Sequence, residues 1–211
     1  MTEILTQYLP WVLGAAAVAY LVLAVRVSRT SQNPKSVISF FLFLLGCMVG
    51  GAAFSYGTTD PNFYGVGRVL LFFGTGFVPV AFYIIYREFT AGAPSPLLIA
   101  MLAVIPIAST CLAMTNSMHH IIWTIIETPD GMRFSDISDH AWFNRVHAPF
   151  AYGLFAYSFV ALAGKLPTIA PAHRRTIILL LVCASLPYAT AVVNSLLRIG
   201  PLDIPFTAVT L

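Results

Sequence analysis

PLLIAMLAVIPIASTCLAMT, Pro96 to Thr115, runs for twenty residues without a charge. Roughly 20 apolar residues are what an α-helix needs to cross about 30 Å of hydrocarbon. Five more runs of this kind flank it, at about Leu5–Val27, Val37–Tyr56, Val69–Tyr86, Val146–Leu166 and Thr176–Leu197. A seventh begins at Pro201 and, truncated at Leu211, is too short to span. It is expected to be the first half of another helix.

Composition agrees with a membrane protein. Of the 211 residues, 58% are hydrophobic and 9% charged, and the mean hydropathy is +0.84. Soluble domains carry about 25% charged residues, so a soluble class is excluded. Cys47, Cys111 and Cys183 all lie inside apolar runs, with no zinc-like spacing and no placement for a structural disulfide. The first span lacks a basic leading segment, with Glu3 before it and Arg26 and Arg29 after it, so it reads as an anchor rather than a cleaved signal.

Orientation follows from the basic residues in the connections. Arg26, Arg29, Lys35, Arg87, Lys165, Arg174 and Arg175 fall on one side; Arg68, Arg133, Arg145 and Arg198 fall on the other. Of the acids only Glu88 joins the first set. The N-terminus is therefore expected outside, and a completed seventh helix would deliver the C-terminus to the cytoplasm. His173-Arg174-Arg175 reads as anchoring at anionic headgroups, not as nucleic-acid binding.

Most connections are short. The exception leaves the opening span as TNSMHHIIWTIIETPDG, Thr115 to Gly131, and continues to Arg145. A loop that long is functional or disordered unless it carries structure of its own. Two β-prone runs flank Pro129-Asp130-Gly131, whose proline presets φ and whose glycine tolerates positive φ, so a small hairpin or ordered lid is predicted.

These residues together carry a family resemblance. The chain resembles the N-terminal seven-transmembrane sensor region of bacterial histidine kinases, which is also found ahead of diguanylate cyclases. The matching features are Arg68 opening the third helix with Pro79 inside it, Ile105-Pro106, and the T-N-x-x-H-x-x-x-W pattern at Thr115, Asn116, His119 and Trp123. They continue with WFNRVH (Trp142 to His147), His173-Arg174-Arg175, LPYATAVVN with Pro187 and Asn194, and GPLDIP from Gly200. The resemblance implies a sensory input module in the bacterial inner membrane, with a kinase or cyclase output lying outside these residues.

The expected architecture is an all-α integral membrane bundle of seven helices, residues 1–211 forming one sensory domain, with a hairpin-like loop between helices four and five. Polar residues collect on the outer side, and polar groups at membrane depth face the bundle interior and are functional candidates. Asn116, His119, Trp123, Trp142, His147, Tyr152, Tyr188, Asn194 and Asp203 are the expected lining of a pocket for a small molecule. Asn144 and His147 share a face if the fifth helix has begun there. Pro187, Ala191, Asn194 and Arg198 form one stripe on the sixth.

Plainer readings stand beside these. Trp123 and Trp142 suit an interfacial aromatic belt, Asn194 suits helix–helix bonding, and Arg198 with Asp203 suits a local ion pair. A metal held by His119 and His147 is an alternative. His119 and His120 point about 100° apart on a helix and would not share one ion, so His120 is expected to be solvated. No cofactor is expected, and no catalytic residue set appears. The expected partners are the small ligand, the lipid bilayer and a second copy in the full-length protein, with no nucleic acid. A transporter or channel is the rival class. Gly46-x-x-x-Gly50 marks a close helix contact, within the bundle or between copies.

Overall fold

The computed structural model describes residues 2–29, 35–58, 60–127, 133–136, 140–171, 173–175 and 177–182. Four long helices come first: α1 (Thr2–Arg29), α2 (Lys35–Gly57), α3 (Pro61–Thr90) and α4 (Pro96–Met114). A single turn, α5 (Asn116–His119), leads into strands β1 (Thr124–Glu127) and β2 (Arg133–Asp136). A π turn (Phe143–His147) then opens α6 (Ala148–Lys165), which ends in a short 3-10 turn at Leu166–Thr168. Residues 177–182 are helical and belong to the predicted sixth span. The rest of that span and the seventh lie outside the described residues.

Among the described residues, five helices are long and apolar enough to cross a membrane: Tyr8–Arg29, Val37–Ser55, Asn62–Thr90, Pro96–Met114 and Phe143–Thr168. α4 shows why lipid is the fitting solvent. Leu97, Met101, Val104 and Ile107 form an apolar stripe, and all four are exposed. A helix apolar all round is a core helix or a membrane span, and an exposed one is the latter.

The third helix starts well before its predicted start at Val69. Asp60 accepts a hydrogen bond from the Asn62 amide at 2.8 Å, Pro61 occupies the first turn, and Thr58 Oγ1 accepts from the Asp60 amide at 3.1 Å. Such a cap followed by proline is a strong helix start. Arg68 therefore lies inside the helix, buried, rather than at its mouth.

α3 is the centre of the bundle. It packs against α2, α4 and α6, while α1 lies on α2. Phe82 and Ile85 of α3 meet Leu13, Leu44, Val49 and Leu162 in the main core. Glycine lets α2 and α3 touch backbone to backbone: a Cβ on Gly51 would sit 2.5 Å from the Gly67 carbonyl, and one on Gly74 would sit 2.6 Å from Met48 Cβ. Gly46 and Gly50 face Leu21 and Ala17 of α1, so this glycine pair makes a contact within the chain.

The long connection carries the expected hairpin. β1 and β2 pair antiparallel, Thr124 opposite Asp136 and Glu127 opposite Arg133. Pro129-Asp130-Gly131, the predicted turn, lies outside the described residues.

Candidate functional site

The end of the bundle where α4 stops and α3 begins holds most of the buried polar side chains. Its first part is the loop after α4. Thr115 Oγ1 donates to the Cys111 carbonyl at 3.0 Å and lies 3.0 Å from His119 Nε2. The Ile121 amide donates to His119 Nδ1 at 3.0 Å. With Nδ1 accepting and the Thr115 proton engaged, His119 carries its proton on Nε2 and donates to Thr115. Asn116 is buried and does more: Nδ2 donates to the Trp123 carbonyl at 2.8 Å, and Oδ1 accepts from the Ile122 and Trp123 amides at 3.0 and 3.3 Å. The chain can then turn at His120, exposed and left-handed at φ 51°. The Thr, Asn and His of the T-N-x-x-H-x-x-x-W pattern thus build a turn that delivers the Trp.

The second part links three helices. Ser109 Oγ of α4 lies 3.0 Å from Trp142 Nε1 and 2.9 Å from His147 Nδ1. His147 Nε2 lies 3.5 Å from Thr75 Oγ1 of α3, which itself donates to the Phe72 carbonyl at 3.3 Å. The donors set the direction. Trp142 can only donate, and the Thr75 proton is engaged, so His147 donates from Nε2 and accepts the Ser109 proton at Nδ1. A neutral histidine closes the relay with every group satisfied. Gly76 makes the room: a Cβ there would lie 3.2 Å from Pro106 and 3.5 Å from His147 Cε1.

The π turn places these groups. Pro149 lacks an amide hydrogen, so the α-helical bond to the Arg145 carbonyl cannot form. The proline ring would also crowd the Arg145 carbonyl of a regular α-helix, and the Ala148 amide, whose α-helical acceptor would be Asn144, reaches to the Phe143 carbonyl in an i to i+5 bond. Residues five apart on an α-helix lie about 140° apart; the wider turn brings Trp142 and His147 onto the same serine. Such turns recur at functional sites. Asn144 does not share the face of His147: it is exposed, while His147 is 2% exposed. The π turn replaced the α periodicity behind that expectation.

Aromatic rings join the two parts. Phe72 stacks on Trp123 at 5.4 Å between centroids, lies 5.3 Å from His147 and meets Phe143 edge-on at 6.0 Å. One turn earlier on α3, the Arg68 guanidinium lies 5.9 Å from the centroids of both Tyr64 and Trp123.

Of the predicted residues, Asn116, His119, Trp123, Trp142 and His147 gather at this end, and Tyr152 lies half-buried on α6. Tyr188, Asn194 and Asp203 lie outside the described residues. An ion shared by His119 and His147 would have to displace a hydrogen bond on each ring, because both nitrogens of each ring are engaged. Ser109, Thr75, Phe72 and Arg68 were not among the predicted residues. Ser109 and Thr75 carried a signal: each is a hydroxyl inside an apolar span, where polar groups are costly. Phe72 carried none, since phenylalanine is ordinary there.

The helices and this buried polar end define a multi-pass membrane protein with a structured loop over one mouth. The chain belongs to the family described as the N-terminal 7TM region of histidine kinase, which matches residues 11–211. It is accordingly a membrane sensory domain of a histidine kinase. Neither the curated proteins nor the solved structures contain a match.

Proposed function

We propose that this chain is a single seven-helix input domain of a bacterial sensor kinase, binding a small molecule at the end where Ser109, Trp142 and His147 meet. That end faces out of the cytoplasmic membrane, with the N-terminus outside. The basic residues support this orientation: seven lie at the helix ends and connections of the inner side, against Arg133, Arg145 and Arg198 at the outer one, with Arg68 buried two turns inside α3.

The observation that carries the reading is the Ser109–His147–Thr75 relay. It ties α3, α4 and α6 at one buried point. A ligand that favours one arrangement of those helices over another shifts their populations. The shift passes through the seventh helix to a kinase dimer on the inner side.

The test uses the full-length kinase in nanodiscs, with autophosphorylation as the readout. His147→Ala and Ser109→Ala are expected to change basal output several-fold while insertion and protein level hold. Wild-type output from both would sink the reading. Solute flux through liposomes carrying the protein would instead favour the transporter class.

A further inference from the structure

Arg68 is 7% exposed, yet its Nε has no hydrogen-bond partner among the described residues. No ion pair forms at it among the described residues, where Asp60 is engaged as the cap of α3. A buried guanidinium presents five N–H donors in a fixed fork, and each is costly to leave unmet. Aromatic faces attract the charge but accept little hydrogen bonding. Tyr64, 3% exposed, and Trp123, 4% exposed, hold the guanidinium between them. Gly65, three residues before Arg68 and so on the neighbouring face, has nothing within 4 Å of where a Cβ would stand.

We propose that Arg68 is an oxyanion-binding residue, taking the carboxylate or phosphate group of a ligand, with its guanidinium held in place by the rings of Tyr64 and Trp123. The fork matches a planar or tetrahedral oxyanion through two parallel hydrogen bonds. Walls of buried aromatic carbon exclude water and strengthen that pairing. The site rests on the sensory reading above and deepens it, because Trp123 stacks on Phe72, which contacts His147. An anion seated on Arg68 therefore touches the same stack that holds the relay. The oxyanion could belong to a soluble molecule or to a phospholipid headgroup, and the chemistry at Arg68 is common to both.

The experiment measures the thermal midpoint of the full-length protein in maltoside micelles, which contain no phosphate. Benzoate, phenyl phosphate and short-chain phosphatidylcholine are titrated separately. A saturable rise with benzoate or phenyl phosphate marks a soluble oxyanion; a rise with phosphatidylcholine alone marks a headgroup. Either supports the site if Arg68→Lys, which keeps the charge but loses the fork, weakens apparent affinity at least tenfold and Trp123→Leu weakens it as well.

No rise with any of the three, or a rise untouched by Arg68→Lys, overturns the proposal. So does an outer carboxylate serving as the partner, which would show as non-additive losses when Arg68→Met is combined with Asp136→Asn or Asp203→Asn. Failure here leaves the kinase readout of His147→Ala and Ser109→Ala standing, so the two ideas fail separately.

Discussion

Asn116 shows how one side chain can hold a loop at the edge of a membrane protein. Its amide meets two backbone N–H groups and one carbonyl that the turn would otherwise bury unpaired. Asn116→Ala leaves all three without partners, and a buried group so orphaned costs about 1–3 kcal/mol. The variant should lower the thermal midpoint and shift the tryptophan emission toward that of a solvated ring as Trp123 loses its seat. His120 next door should behave oppositely. It holds a left-handed φ of 51° without burial, a conformation that costs a non-glycine residue about 1–2 kcal/mol. His120→Gly should therefore be neutral or stabilising in the same melt. The pair of adjacent histidines thus divides into a bonded member and a solvated one, and the sequence pattern marked the division. It did not reveal that Thr115, Asn116 and His119 serve the turn, because their partners are backbone groups several residues away.

At the level of elements, the π turn and the glycines decide where side chains go. Pro149→Ala restores the missing amide hydrogen and allows a regular α-helix through Phe143–His147. Trp142 and His147 should then no longer share Ser109. The expected outcome is a changed basal autophosphorylation with little loss of stability, so unchanged output would show that the π turn is not coupled to signalling. Gly51→Ala tests the α2–α3 seam, where the new methyl would meet backbone at 2.5 Å. Overpacking of this kind costs about 1–3 kcal/mol. Gly65→Ala, by contrast, meets nothing within 4 Å and should gain up to about 1 kcal/mol from helix propensity. Melting the two variants side by side checks both. The early start of α3 belongs here too: Thr58-Thr59-Asp60-Pro61 carries capping chemistry, but Asn62, Gly65, Gly67 and Arg68 interrupt the apolar run that begins in earnest at Val69.

For the whole molecule the decisive measurement is topology. In a background with Cys47, Cys111 and Cys183 changed to alanine, Thr58→Cys should react with an impermeant thiol reagent on intact cells. Ala91→Cys should react only after the cells are opened. The reverse pattern would overturn an N-terminus outside. Length and hydropathy made the first five spans and their order legible, because crossing a bilayer requires about 20 apolar residues whatever the fold. The hairpin was legible as well, from β-prone runs around a proline-glycine turn, and the family from a handful of spaced motifs. Proximity was not. Ser109 and His147 are 38 positions apart and Thr75 and His147 are 72 apart, so no local period links them. Arg68 is the clearest case: as sequence it is one basic residue beside a span, and only the packing of Tyr64 and Trp123 around it makes it a buried cation whose Nε has no hydrogen-bond partner among the described residues. Solvent preference is a property of each residue and is written along the chain. Which buried groups meet depends on how helices distant in sequence pack, and the tertiary structure alone decides that.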